Sequence, residues 1–175
     1  MQLHQITLDF DAEQDRLLMR ISTSDAKEIA LWLTRRCVKL MWPLFVKMVE
    51  SSPRIQLRTA SAEARAALLE LEHEKAMQKA DFSTPYQASA RERPLGAEPI
   101  LVARMHTGRD ERGNHVLSLL PARGQGVNLC MEEELLHSCC RLLQSAVAKA
   151  EWDFKLEFPE APLTAEDARG ARSVN

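Results

Sequence analysis

Between Ile6 and Glu50 the chain passes three times through an alternation of apolar and polar residues and then changes period. HQITLDF, RLLMRIS and EIALWL each alternate at period two, separated by the polar segments DAEQD and TSDAK. TRRCVKLMWPLFVKMVE then spaces its apolar residues at i, i+3 and i+4, so the order predicts three strands and a helix. The same order returns: PILVARMH, HVLSLL and VNLCM, with GRDERGN and PARGQG between them, lead into EEELLHSCCRLLQSAVAKAEW. Setting residue n against n+98 puts Ile29, Leu31 and Leu33 on Val127, Leu129 and Met131. In the helices it puts Val38, Met41, Leu44, Phe45 and Val49 on Leu136, Cys139, Leu142, Leu143 and Val147, an internal repeat in which both phases are kept. Strand one aligns only after a small shift, because GRDERGN is longer than DAEQD.

The strand pattern dictates an architecture. Ile6, Leu8 and Phe10 share one face, as do Leu17, Met19 and Ile21, and the short polar connections make consecutive strands antiparallel neighbours. The resulting apolar face needs a cover, and the helix opened by Thr34 as N-cap supplies an apolar stripe for it. Pro43 removes a backbone donor, which predicts a kink near Lys39 to Trp42 or a later helix start. SAEARAALLELEHEKAMQK predicts a linker helix over about 61–79 with a narrow stripe of Ala64, Ala67, Leu68 and Leu71. Residues 81–99, with Pro85, Pro94, Gly96 and Pro99, predict a long loop. The expected fold is α+β: two pseudo-symmetric β-β-β-α units, antiparallel sheets each covered by a helix, joined by the extra helix and the loop. The units, 4–50 and 100–152, form a single domain over 1–155, and the tail 156–175 is expected to be disordered.

At 175 residues and 45% hydrophobic the chain can bury a substantial core. A net charge of −2, from 23 basic and 25 acidic residues, gives no bulk attraction to nucleic acid or to an anionic membrane. A nucleic-acid partner therefore needs a local basic patch. The longest apolar stretch, LMWPLFV, is too short to span a bilayer and the chain start lacks a leader pattern, so a cytoplasmic protein without membrane attachment is expected. Four cysteines, Cys37, Cys130, Cys139 and Cys140, do not make a disulfide framework.

The strand, strand, strand, helix order of both units resembles a reduced version of the repeat in the Whirly and Pur-alpha single-stranded nucleic-acid-binding families, where four strands precede each helix. The resemblance is one of topology, and it implies a sheet face as the binding surface. Separately, RLLMRIS followed by IALWLTRR resembles the start of a family of uncharacterised bacterial proteins, which implies no chemistry.

Among residues able to carry chemistry, His137 and Cys140 stand at i, i+3, with Cys130 and Cys139 nearby, a spacing from which two ligands could meet one zinc ion. A closed site needs four convergent ligands, however, and Cys139 matches the apolar Met41 while Cys130 is read with the buried pattern of its strand, so all are read as packing. Cys37, beside Arg35 and Arg36, is the best placed for a reactive thiol, but it lies on the apolar stripe. ARGQG precedes a strand and not a helix, which removes a phosphate cradle, and Glu132, Glu133 and Glu134 simply complement a helix macrodipole. The histidines form no paired motif with serine or cysteine. No catalytic residue, metal or cofactor is expected. What remains is a binding surface: Arg16 and Arg20 on the polar side of strand two, Arg35, Arg36 and Lys39 at the first helix start, Arg104, Arg109, Arg112 and Arg123 around the later hairpins, and Trp32 exposed on a strand. Trp32 could stack bases or anchor a protein partner. The expectation is a non-enzymatic interaction protein, homo-oligomeric through sheet or helix faces. Its alternative is a single-stranded nucleic-acid-binding protein using a sheet face, and the third reading is a metal- or thiol-dependent enzyme.

Overall fold

In a computed structural model, which describes residues 3–52, 62–79 and 92–159, the first alternating stretch forms β1 (Leu3–Asp11), β2 (Arg16–Thr23) and β3 (Glu28–Leu33). All three pair antiparallel. The rows Leu8, Met19, Leu31 and Phe10, Leu17, Leu33 face the core, while Thr7, Arg20, Ala30 and Asp9, Leu18, Trp32 form rows on the other side. Asp15 closes the first hairpin at φ 52°, a left-handed position that aspartate tolerates better than most residues.

Helix α1 (Arg35–Glu50) starts where the sequence places it, with the Cys37 amide donating to Thr34 Oγ1 at 3.1 Å. Pro43 lies inside this helix and does not delay its start. Both Pro43 and Lys39, whose carbonyl it strips of a donor, are exposed, so the lost bond falls on the solvent side. Linker helix α2 spans Ala62–Lys79, but its phase corrects the expected stripe: Leu69 is buried at 3% exposure, whereas Leu71 is 45% exposed and Ala64 and Ala67 are exposed. Adjacent Leu68 and Leu69 make two stripes equally available, and packing against the last helix selects the one through Leu69. The first part of the expected loop, 81–91, lies outside the described residues; 92–99 contains no helix or strand.

PILVARMH, read as one strand, splits in two. β4 (Ile100–Leu101) pairs parallel with β3, giving a four-stranded first sheet of order β1-β2-β3-β4, and β5 (Arg104–Arg109) begins the second. At the crossing, the Val102 amide donates to the Trp32 carbonyl (3.0 Å) and the Ala103 amide to that of Leu120 (2.9 Å). One extended segment thus stitches the two sheets together, and with the Lys27–Glu92 bridge it covers the otherwise open edge of β3. The expected three antiparallel strands of the first unit are therefore joined by a parallel fourth, which the unbroken run from Ile100 to His106, with no turn residue inside it, concealed.

β5, β6 (His115–Leu120) and β7 (Val127–Met131) form a three-stranded antiparallel sheet, followed by α3 (Glu133–Lys149). Thr7 lies opposite Arg20 in the first sheet and His106 opposite Ser118 in the second, so β5 is displaced by one residue from the n+98 correspondence. Gly126 is forced by close approach: a Cβ there would stand 2.1 Å from the Leu119 carbonyl oxygen.

The buried side chains of both sheets and of α1, α2 and α3 form one cluster. Each long helix also reaches the other unit. Cys37 of α1 stands 3.7 Å, sulfur to sulfur, from Met105 of β5, and α3 packs against β1 and α1. The start of the tail packs onto the fold. Leu156 is buried, its carbonyl accepting from Gln144 Nε2 at 2.8 Å, and the Glu157 carbonyl accepts from Trp42 Nε1 at 2.9 Å. Individual side chains hold these residues, not a periodic face, so no period marked them; 160–175 lies outside the described residues.

Candidate functional site

The expected binding residues divide into two places. Leu18, Trp32 and Leu101 stand opposite one another across β2, β3 and β4 on the face turned away from the core. Arg16 and Arg20 alternate with Leu18 on that face. Trp32 is half-buried, not exposed as expected, because β4 lies alongside it; Leu101 is 44% exposed. Arg20 pairs with Asp9 across the strands. Trp32, Arg16 and Arg20 are thus brought together, on a surface where an apolar row is bordered by charges of both signs.

Arg35 and Lys39 face elsewhere. Arg35 Nε meets Asp15 Oδ2 at 2.8 Å and its guanidinium carbon lies 5.5 Å from the centre of the Trp152 ring. Lys39 Nζ is 3.7 Å from Asp153 and 4.6 Å from the Phe154 ring centre. Trp152 Nε1 donates to Asp15 Oδ1 at 2.7 Å, its ring meets Phe10 edge-on and Phe154 in a stack. Phe158 in turn packs on Trp42. Arg35, Lys39 and Trp42, at i, i+4 and i+7 on α1, therefore clasp a strap formed by residues 152–158. The Arg35 hydrogen bond, then that of Trp152, holds the Asp15 carboxyl below the usual carboxylate range. As a nucleic-acid footprint the cluster is thereby largely neutralised from within; Arg36 is exposed and stands outside the clasp.

The thiols give no support to covalent chemistry. Burial pushes Cys37 up to about 11 and Cys139 up to about 12, and raises Cys140 as well, so none offers a thiolate near neutrality. Cys130 corrects its expected burial: Val127, Leu129 and Met131 point inward, which strand parity alone could have told, and Cys130 is exposed with Sγ 3.8 Å from Asp110 Oδ2. His137 is buried at 1% exposure. Among the described residues no group of three or more histidine, cysteine or acidic side chains could hold a metal ion, and no helix is long and apolar enough to cross a membrane.

A constellation that sequence reasoning missed lies where α1 ends. Ser51 Oγ donates to the Met48 carbonyl at 2.9 Å and stands 3.0 Å from His115 Nε2. Arg109 Nη2 donates to the same oxygen at 3.3 Å, while its Nη1 donates to the Gly113 carbonyl at 2.7 Å. Burial, and then the Arg109 charge, lowers the His115 pKa. The serine next door, Ser52, donates to Glu133 Oε1 at 2.6 Å and ties the end of α1 to the start of α3. Ser51 and His115 are 64 residues apart, so no local spacing announced them. Serine and histidine at hydrogen-bond distance suggest nucleophilic catalysis, but the Ser51 proton goes to a backbone carbonyl and, among the described residues, no carboxylate lines the cleft to orient the ring.

No protein-family model matches the chain, and neither a curated protein nor a solved structure does.

Proposed function

We propose that this is a non-enzymatic interaction protein whose partner is a second copy of the same chain, docked on the outer face of the first sheet. The observation that carries the reading is the row Leu18, Trp32 and Leu101, in register across three strands with Ala30 beside it. A tryptophan flanked by aliphatic side chains is the kind of anchor around which interface energy concentrates. A second copy suits the face because its charges are balanced within it: Arg20 pairs with Asp9 and Arg16 lies opposite Asp11. Such a neutral face meets no net like-charge repulsion when the same patch is presented twice across a two-fold axis.

The single-stranded nucleic-acid reading draws on the same face, since Arg16, Arg20 and Trp32 share it, but Arg20 is committed to Asp9 and the α1 cations to the strap. Sedimentation velocity over a range of concentrations, on wild type and Leu101→Glu, tests the proposal. Dimers that dissociate on the substitution, with the far-UV spectrum kept, are expected. A wild-type monomer at every concentration, or dimers indifferent to Leu101→Glu, would overturn it. Salt-sensitive binding of single-stranded oligonucleotide by the monomer would move the assignment to nucleic acid.

A further inference from the structure

Between the last turns of α1 and the β5–β6 hairpin lies a cleft of about 300 Å³. Lys47, Ser51, Arg109 and His115 line it, and so do Leu44 and Met48. Among the described residues the lining carries two permanent cations and no carboxylate. Among the described residues neither Lys47 nor Arg109 makes an ion pair. Asp110, the acid next in the chain, is turned into its own loop, accepting from the Arg112 and Asn114 amides and from Asn114 Nδ2. Arg109 is also pre-positioned: its bonds to Gly113 and Ser51 use part of its five-donor fork and leave the rest for a ligand. Uncompensated positive charge in a concave, partly apolar site is a setting in which an anion gains most from Coulomb attraction.

The apolar part has a direction. Leu44 is half-buried at the cleft, and Leu40, one turn earlier on the same side of α1, is 56% exposed. Leu40 and Leu44 thus extend the apolar surface of the cleft along α1. We propose that this cleft binds a small carboxylic acid, its carboxylate held by Arg109 and Lys47 and its apolar body lying on Met48, Leu44 and Leu40. His115 and Ser51 serve as positioning residues, fixing the guanidinium through the Ser51 hydroxyl.

The test is an amide chemical-shift titration of the full chain with hexanoate, acetate and hexanamide. Hexanoate is expected to give saturable shifts at Gly108, Arg109 and His115, acetate weaker binding, and hexanamide none. Lys47→Gln and Arg109→Gln should each weaken hexanoate by about tenfold, the loss of one charge-assisted contact. Arg109→Gln also removes the bonds to Gly113 and Ser51; Lys47→Gln lies outside that network and separates lost charge from a disturbed hairpin. Equal shifts with hexanamide, hexanoate affinity unchanged in Lys47→Gln, or no saturation by any of the three would overturn the proposal. Tighter binding of inorganic phosphate than of hexanoate would overturn the carboxylic-acid assignment.

Discussion

His115 and His137 are both held below the ordinary imidazole pKa of 6.5, His115 by burial and then by Arg109, His137 by burial against the opposing pull of Glu133 and Glu72. The sign of the consequence follows. A group with a depressed folded pKa is neutral in the folded state while the unfolded chain still binds a proton, so its contribution is intact above pH 6.5 and is lost as pH falls through the folded values. Urea midpoints are therefore expected to hold steady from pH 8 to 7 as far as these groups are concerned and to decline below 6.5. His137→Gln should make that acid-side decline shallower, because one of the two protons is no longer taken up on unfolding. An unchanged slope in His137→Gln would mean that the buried imidazole is not among the groups that titrate.

The strap is the element whose removal tells most. Trp152 is buried at 6% exposure, bonds to Asp15 and packs on Phe10 and Phe154, so Trp152→Ala is expected to cost about 3–5 kcal/mol in denaturant unfolding. Lys39→Ala, which removes only exposed cation contacts, should cost under about 1 kcal/mol; a similar cost for both would contradict an aromatic anchor. The strap also marks the boundary of what was legible in the chain. Both β-β-β-α orders, the Thr34 cap and the helix correspondence were readable, because periodicity and capping are local: Val38 and Leu136, Met41 and Cys139, Phe45 and Leu143 are all buried. Features held by single contacts between distant residues were not. Trp42 with Glu157, Trp152 with Asp15 and the parallel pairing of Leu101 with Trp32 leave no repeat in the sequence. The same reason hid the cleft, where Ser51, Arg109 and His115 meet only because α1 lies along β5. Arg35 and Lys39 were visible as a cluster, but the partners that turn it into a clasp were not.

At the scale of the whole molecule, the repeat does not imply two independent units. Each unit has its own strands and helix, yet the buried residues form one cluster, and the ties between units are of several kinds. Segment 100–103 bonds to both sheets, Cys37 packs on Met105, Ser52 bonds to Glu133 across the helix ends, and Trp152 closes over Phe10 and Asp15. Separating the units would expose the apolar side of α1 that faces β5 and the side of α3 that faces β1, a loss comparable to opening a domain core. Unfolding is accordingly expected to be a single transition. Far-UV ellipticity and tryptophan emission, the latter reporting Trp32 and Trp42 in the first unit and Trp152 in the strap, should give coincident melting curves with equal calorimetric and van't Hoff enthalpies. The fragment 1–52 alone should lack cooperative melting and dispersed amide resonances, because its helix would keep only one of the two sheets it packs on. Two resolved transitions, or a folded 1–52 fragment, would show instead that each half closes its own core and that the contacts between them are secondary.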